Sequence, residues 1–530
     1  MSLQWQLSRE VPADTAAMGQ ELFPTSNLYR QIGDRFNELF PDESAFEALH
    51  DTTGRGVIPR LLLALVTVFQ MLEEVPDRLA AELVVSRMDW KYALHLPLTY
   101  TGFHFTNLNH FRTLLLENHQ ERRFFDELIA KLRDAGLIKK RGKTRTDSTH
   151  ILALVQRLSQ LELVTESLRV ALEAATETDG VWVEQVVPAA FQETYSQRQW
   201  EYGLSQAEIQ SKLLQAGKDG FWFLAQVDKS APLTVRQLPA VAVLRTVLAQ
   251  QFPGGSDNPP VSKRPTGGEV IESPHEPEAR YAMKRGQGWL GYKAQVTETC
   301  DADRPHLILD LEPTGALDND SPELPQIQAR LAAQDTLPGE QQVDQGYMSG
   351  ENLVKSAEAG INLMGEPLAD TQGPEDFRQG DFQIDEAAQK ATCPAGQTSQ
   401  VWAERSNPKG GPPAIQVRFA GATCQRCTFF GRCTTSVQGR SLTLHPYRAA
   451  LEARRAEAQT EAFQEELHLR AGIEATISEA VRVCGLRLAR YRGKVRLRLQ
   501  AYFTAIAMNL KRLVRWWTSP RPRAAVAPVS

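Results

Sequence analysis

The spacing of apolar residues changes near residue 143, and that change sets what the chain can fold into. Up to about residue 138 apolar positions recur at helical spacing, through "GVIPRLLLALVTVFQMLEEV", "PDRLAAELVVSRMDWKYALHL" and "TNLNHFRTLLLENHQERRFFDELIAKLRDAGL". Pro59 falls near the start of the first of these, where a helix tolerates it. Short helices broken by turns are compatible with a helix-turn-helix module and equally with generic helical packing. The run "LLLALVTVFQML" (61–72) is too short to cross a bilayer and reads as a buried helix.

"KTRTDSTHILALV" then predicts a short strand running into a helix, and a long helical region follows over roughly 152–250. The Pro/Gly/Ser-rich stretch "QFPGGSDNPPVSKRPTGGE" marks a link or surface loop. Beyond it "GYKAQVTETC" and "PHLILDLEPT" read as strands and "SPELPQIQARLAAQ" as a helix. "GEQQVDQGYM" is a short strand, followed by a further helix and the strand "INLMGEPL". Two strands followed by alternating helices and strands make a mixed α/β sheet. From 373 to about 445 the chain is polar, Gly-rich and cysteine-bearing, and helices resume at 446 and run to Trp517. At 530 residues the chain is too long for one core.

The net charge of −5 argues against a simple nucleic-acid binder, but the distribution argues for one. Between Arg482 and Arg523 there are twelve Lys/Arg and no Asp or Glu, and "KKRGKTR" (139–145) adds five basic residues. Without interleaved acids a solvated, pair-laced helix face is the weaker reading, and local contact with a polyanion is expected. Arg9, Glu10 and Asp14 stand where a secretory leader would be basic and then apolar, so a cytoplasmic protein is expected.

Three carboxylates stand out. Asp147 in "RTDSTH" is expected at the end of a basic strand, and Asp344 in "VDQGY" where a short apolar strand meets a Gly turn. Strand ends beside turns are where α/β sheets place functional groups, although a single Asp there also serves as a cap or Asx-turn. In "RAGIEATISEAVR" Arg470, Glu474, Ser478 and Arg482 recur every four residues, which predicts one polar helix stripe. Asp147, Asp344 and Glu474 together form a set of hard oxygen ligands of the kind that suits Mg2+ or Mn2+.

"TDSTH", "SPHEPEARYAMKRGQGWLGYKAQVTETCD", "VDQGYMSGENLV" and "RAGIEATISEAVRVCGLRLARYRGKVRLRLQAYFTAIAMNLKRL" resemble bacterial insertion-sequence transposases of the DDE type, in particular a long subgroup with a cysteine-bearing insertion. The resemblance covers nearly the whole chain. It implies a helix-rich mixed α/β fold with an RNase H-like catalytic core, an N-terminal all-helical domain and insertions. It also implies two Mg2+ (or Mn2+) ions held by Asp147, Asp344 and Glu474, with cleavage at the element ends and transfer of the freed 3′-OH into target DNA. Related families carry a Tyr–Arg–Glu–Lys signature around the Glu. Here Arg470 matches the Arg, the Tyr position falls on Leu467, and the Lys position is Val481 with Arg482 beside it. The alternatives are a catalytically silent, transposase-derived DNA-binding protein, or an RNase H-like nuclease that cleaves without strand transfer.

The expected organisation is a helical DNA-binding domain over 1–138 and the first part of the core over 139–372, with a helical insertion at about 152–265. A Gly/Cys-rich insertion follows over 373–445, the C-terminal core helices over 446–518, and a flexible tail over 519–530. Expected phosphate contacts are Arg470, Arg482, Arg487, Arg490, Arg492, Lys494, Lys139, Lys140 and Arg141. His150, three residues after Asp147, is either a neighbour of the site or a structural hydrogen-bonding group. Trp289 is either a base-stacking or a packing residue. Cys393, Cys424, Cys427 and Cys433 are either ligands of one structural Zn2+ or free thiols, while Cys300 and Cys484 read as ordinary buried cysteines. Expected partners are double-stranded DNA, namely terminal inverted repeats and target, and a second copy of the chain in a homodimer. No membrane contact is expected, and the implied location is the bacterial nucleoid.

Overall fold

The computed structural model describes residues 7–46, 49, 58–255, 260–261, 265–284, 286–370, 373–406 and 412–519. Parts of the Pro/Gly/Ser-rich stretch, 256–259 and 262–264, and the tail beyond Ser519 lie outside the described residues. The chain divides into two compact units. The first comprises Met1–Ile138, Asp147–Asp318 and Ile473–Ser530, and the second Lys139–Thr146 and Asn319–Gly472. Both mix helices and strands, and helix predominates in a mixed α/β fold.

In the first unit the apolar run becomes the helix Arg60–Glu73, buried at every position from Leu61 to Met71. A helix apolar on all sides must be covered on all sides. The long helix Lys494–Thr518, itself buried from Leu499 to Leu510, packs against it. Arg112, on the helix Thr106–Glu117, holds both oxygens of Asp77 at 3.1 and 2.5 Å. The region after residue 152 forms the helices Gln160–Val186, Gln206–Ser230 and Pro239–Gln251. The first two open on Ser–Glu capping boxes, Ser159/Glu162 and Ser205/Glu208. Leu161, Leu168, Phe223, Leu244 and Phe252 form part of their shared core.

The strand predicted at 143 is β1, Lys143–Leu152. It is longer than expected, and a loop separates it from the helix that begins at Gln160. Asp147 therefore sits in mid-strand, not at the strand's end. The extension has a backbone cause. Leu152 donates to the Arg487 carbonyl at 2.8 Å, Ala489 donates back to Leu152 at 2.9 Å, and Ala153 donates to Leu290 at 2.9 Å. β2 (Arg280–Lys284), unforeseen in the sequence, pairs antiparallel with β3 (Gln287–Thr299), which pairs antiparallel with β4 (Ile308–Gly315). A Cβ on Gly291 of β3 would fall 2.0 Å from the Ile151 carbonyl oxygen, so only glycine allows β3 to approach β1 this closely.

In the second unit the first half of β1 runs parallel to β5 (Glu340–Val343), with Lys143 opposite Glu340 and Thr146 opposite Val343. β5 runs parallel to β6 (Asn362–Met364). The helix Gly350–Glu358 makes the crossover that parallel neighbours require. The Gly/Cys-rich segment folds as a β module. Its strands are β7 (Gln383–Asp385) and β8 (Lys390–Thr392), a hairpin, and β9 (Val401–Arg405), β10 (Ala414–Arg418) and β11 (Ser441–Leu444), an antiparallel sheet. Among the described residues no helix is long and apolar enough to cross a membrane.

Candidate active site

In the first unit the Asp147 carboxylate accepts the N–H of Ser148 at 2.7 Å. The burial alternation along β1 puts Asp147 on the same strand face as Arg145, Thr149 and Ile151. His150 faces the other way, its ring 5.0 Å from that of Trp289. Burial, and then the nearby cations Arg487 and Lys284, hold the His150 imidazole below its ordinary value, so it is neutral at pH 7. Trp289 is half-buried against this ring.

Glu474 is exposed in the first turn of the helix Gly472–Val483. That helix is fixed two residues further on. Thr476 donates its hydroxyl to the fully buried Glu298 of β3 at 2.7 Å. Arg512, from the C-terminal helix, pairs with the same Glu298, donates to Thr476 Oγ1 at 2.7 Å and meets Glu479 at 3.1 Å. Nothing in the spacing of Thr476, Glu298 and Arg512 announced this cluster. The available signal was a Glu on the same strand parity as Leu290, Tyr292, Ala294 and Val296, in a strand that is buried over most of its length.

In the second unit Asp344 follows the last residue of β5. Its Oδ1 accepts the Gly346 N–H at 2.8 Å and its carbonyl accepts from Tyr347, which together form an Asx-turn. A Cβ on Gly346 would lie 3.0 Å from Asp344 Oδ1 and 3.2 Å from Asp320 Oδ2, so Asp320 faces the same turn. The sequence reading did not single out Asp320. Arg145 of β1 is buried and donates from Nη1 to the Leu469 carbonyl at 2.7 Å. Its guanidinium passes so close to Gly472 that a Cβ there would fall 1.8 Å from Nη1. Lys143 pairs with Glu466, and Gln342 of β5 donates to the Glu466 carbonyl at 3.0 Å. The segment 466–472, which leads into the Glu474 helix, is thus bonded to the β1/β5 ladder. Arg470 lies in this segment, in a tight turn (His468–Ala471), and the helix proper begins at Gly472. The expected stripe therefore starts one element earlier than a single helix would have it.

The basic residues fall into two groups. Lys139, Lys140, Arg482 and Arg492 are exposed, and Lys494 is half-exposed. Arg487 donates to the His150 carbonyl, and Arg490 donates to the carbonyls of Gln70 at 3.3 Å and Val75 at 2.6 Å. Arg141, exposed, donates to the carbonyls of Pro338 and Ala359 at 3.1 and 2.8 Å.

Cys393, Cys424, Cys427 and Cys433 line one cavity of the β module, and all are half-buried free thiols. Burial raises the Cys433 thiol, Arg440 opposes this, and the other three cysteines add to it. Cys300 and Cys484 are buried, as the sequence suggested, and burial pushes Cys484 up to about 12. Among the described residues no three His, Cys, Asp or Glu side chains stand together at ion-binding distance.

Two families match the chain. Residues 18–114 match a transposase domain family (DUF772), and residues 392–514 match the family described as the transposase DDE domain. The second match contains the four cysteines of the cavity, Arg470, Glu474 and the basic C-terminal helix as far as Val514. No curated protein and no solved structure matches the chain. With a transposase domain matched near each end, one of them a DDE domain that includes the exposed Glu474, the two matches indicate an insertion-sequence transposase of the DDE type.

Proposed function

We propose that the protein cuts DNA at the ends of its own insertion sequence and joins the freed 3′-OH to target DNA, using an RNase H-like core in which Asp147, Asp344 and Glu474 act together. The observation that carries this reading is the β1/β5 register. Thr146 lies opposite Val343, and Asp147 and Asp344 are the next residues along the chain, Asp147 within β1 and Asp344 just past the end of β5. Support for the third member comes from Arg145, two residues before Asp147, which anchors the turn leading into the Glu474 helix.

The donor set fits the ions. Carboxylate oxygens alone, half-buried or exposed, suit Mg2+ or Mn2+ and not a soft metal. Two such ions would supply positive charge to the attacking and leaving oxygens of a phosphodiester displacement. The chain's own work is then positional. The Asx-turn fixes Asp344, Thr476 and Arg512 fix the helix that carries Glu474, and Arg470 offers a phosphate contact one turn before it. None of these steps needs a side-chain nucleophile, so the Ser and Thr residues around Asp147 remain structural.

In this reading the exposed Lys139, Lys140, Arg482 and Arg492, together with Arg141 and Lys494, meet the DNA backbone, and Arg487 and Arg490 hold the fold. The N-terminal helices over 1–138 serve as the DNA-binding domain. Two copies of the chain pair the two element ends at the bacterial nucleoid. The test is an assay with oligonucleotide ends and a target plasmid in Mg2+. Joined products that vanish in Asp147→Ala, Asp344→Ala and Glu474→Ala, with falls of at least about 1,000-fold, are expected. Cleavage that persists in all three variants overturns the triad. Cleavage without joining makes the protein a nuclease, and DNA binding with neither makes it a silent DNA-binding derivative.

A further inference from the structure

The β module of the second unit has a small core. Phe382, Ala391, Val417, Phe419, Leu442 and Leu444 are its buried apolar residues. A core of this size rarely holds a fold without a staple. Packed against it are Cys393, Cys424 and Cys433, which with Cys427 surround a cavity of about 30 Å3, room for a single small occupant.

The backbone around these sulfurs is already turned toward metal binding. The Cys393 carbonyl accepts the Gly396 N–H at 2.8 Å, and the Cys393 N–H donates to Gln397 at 2.8 Å. The turn closes because Gly396 takes φ +75°, a conformation glycine adopts without strain. Cys427 donates its N–H to the Cys424 carbonyl at 3.1 Å, so this pair forms a second turn. Two backbone amides point at sulfur: Phe429 N–H at Cys427 Sγ and Arg440 N–H at Cys424 Sγ, each at 3.5 Å. Amides aimed at a sulfur favour its thiolate form. The Arg440 side chain also lines the cavity and donates to the Phe377 carbonyl at 3.0 Å, which places a cation beside the four sulfurs.

We propose that Cys393, Cys424, Cys427 and Cys433 bind one Zn2+ as four thiolates, and that this ion is the structural centre of the β module. Four thiolates around Zn2+ carry a net charge of −2, which Arg440 partly offsets. Each thiol releases its proton to solvent on binding. The sulfurs border the cavity without yet converging, and closing to about 2.3 Å each requires them to turn inward on turns already formed. Four protein ligands leave no open position, so the ion stabilises the module and takes no part in phosphodiester chemistry.

The experiment uses the full chain purified under reducing conditions, with elemental analysis for zinc and, after exchange, Co2+ spectroscopy. One zinc per chain is expected, together with sulfur-to-cobalt charge-transfer bands and the visible bands of a tetrahedral ion. Both signals come from the unmutated protein and do not depend on a variant that folds. Cys300→Ser and Cys484→Ser should keep the zinc, while serine at any of the four proposed ligands should lose at least tenfold in zinc affinity. Less than a tenth of a zinc per chain after refolding in excess Zn2+, or zinc retained when all four are replaced, would overturn the assignment.

Discussion

Arg145 reaches from β1 to the carbonyl of Leu469, 324 residues further along the chain, with Nη1 2.7 Å from the oxygen. It is buried, lies two residues before Asp147, and its guanidinium fills the space that a side chain at Gly472 would need. The bond ties the last turn before the Glu474 helix to the strand that carries Asp147. Arg145 is therefore a positioning residue in the proposed mechanism. Arg145→Lys keeps the charge but loses the fixed fork geometry. The expected result is a fall of about 100-fold in the single-turnover cleavage rate, since small misplacements cost that much, with DNA affinity within about twofold of wild type. An equal loss in affinity and rate would make Arg145 a DNA contact instead.

The second anchor of the same helix makes a separate prediction. Glu298 is fully buried and satisfied by Thr476 and Arg512. Removing one partner of a buried, hydrogen-bonded charge costs more than the bond's net contribution, because the other partner stays desolvated. Thr476→Val should cost about 1–3 kcal/mol in urea unfolding, and Arg512→Ala about 3–5 kcal/mol, because it leaves an uncompensated carboxylate. If both changes fall within about 0.5 kcal/mol of wild type, the range for surface sites, the cluster does not hold the helix.

Lysine and arginine residues that look alike in the sequence should separate in solution. Arg482→Ala and Arg492→Ala, at exposed positions, should each weaken DNA binding and lower the slope of log affinity against log salt by about one, with stability unchanged. Arg490→Ala should instead destabilise the chain by about 2 kcal/mol, because the Gln70 and Val75 carbonyls lose their donor. Salt titrations by fluorescence anisotropy, alongside unfolding curves, read the two effects independently.

Much of this architecture was legible because it rests on local pattern. The apolar run at 61–72 dictated a buried helix, and alternation with β-branched residues marked β3 and β4. Asp344 could be placed at a strand end because Val343 and Gly346 bracket it in sequence. Asp147 was set at a strand end wrongly. What carries β1 on to Leu152 is its pairing with β3 and hydrogen bonding with Arg487 and Ala489, all distant in sequence, and no local signal encodes that. The carbonyl contacts of Arg487 and Arg490 were equally hidden: a run of arginines shows its charge but not which members meet a carbonyl in the folded chain. The Thr476–Glu298–Arg512 cluster depends on three segments distant in sequence. Arg470 matched a family motif, yet it lies in the tight turn His468–Ala471, and the helix that was to carry it begins only at Gly472.

Acid should expose one further anchor, in the helices between Gln160 and Gln251. Glu166 is 2% exposed on the first of them. Burial works to raise its carboxyl, but hydrogen bonds from His275, at 2.6 Å, and Arg169, at 2.9 and 3.0 Å, outweigh that and lower it to about 2. A carboxylate depressed in the folded state adds stability above its unfolded value, near 4.5, and loses it as pH falls through the folded value. The window is therefore pH 4.5 down to about 2. Across it the difference in unfolding free energy between wild type and Glu166→Gln should shrink by about 3 kcal/mol, the equivalent of the shift. Urea unfolding followed by Trp fluorescence at pH 7, 4.5, 3.5 and 2.5 measures this difference directly. A difference that stays constant across those four values would mean that Glu166 is held by packing alone, and that the His275 and Arg169 contacts add no charge-dependent stability.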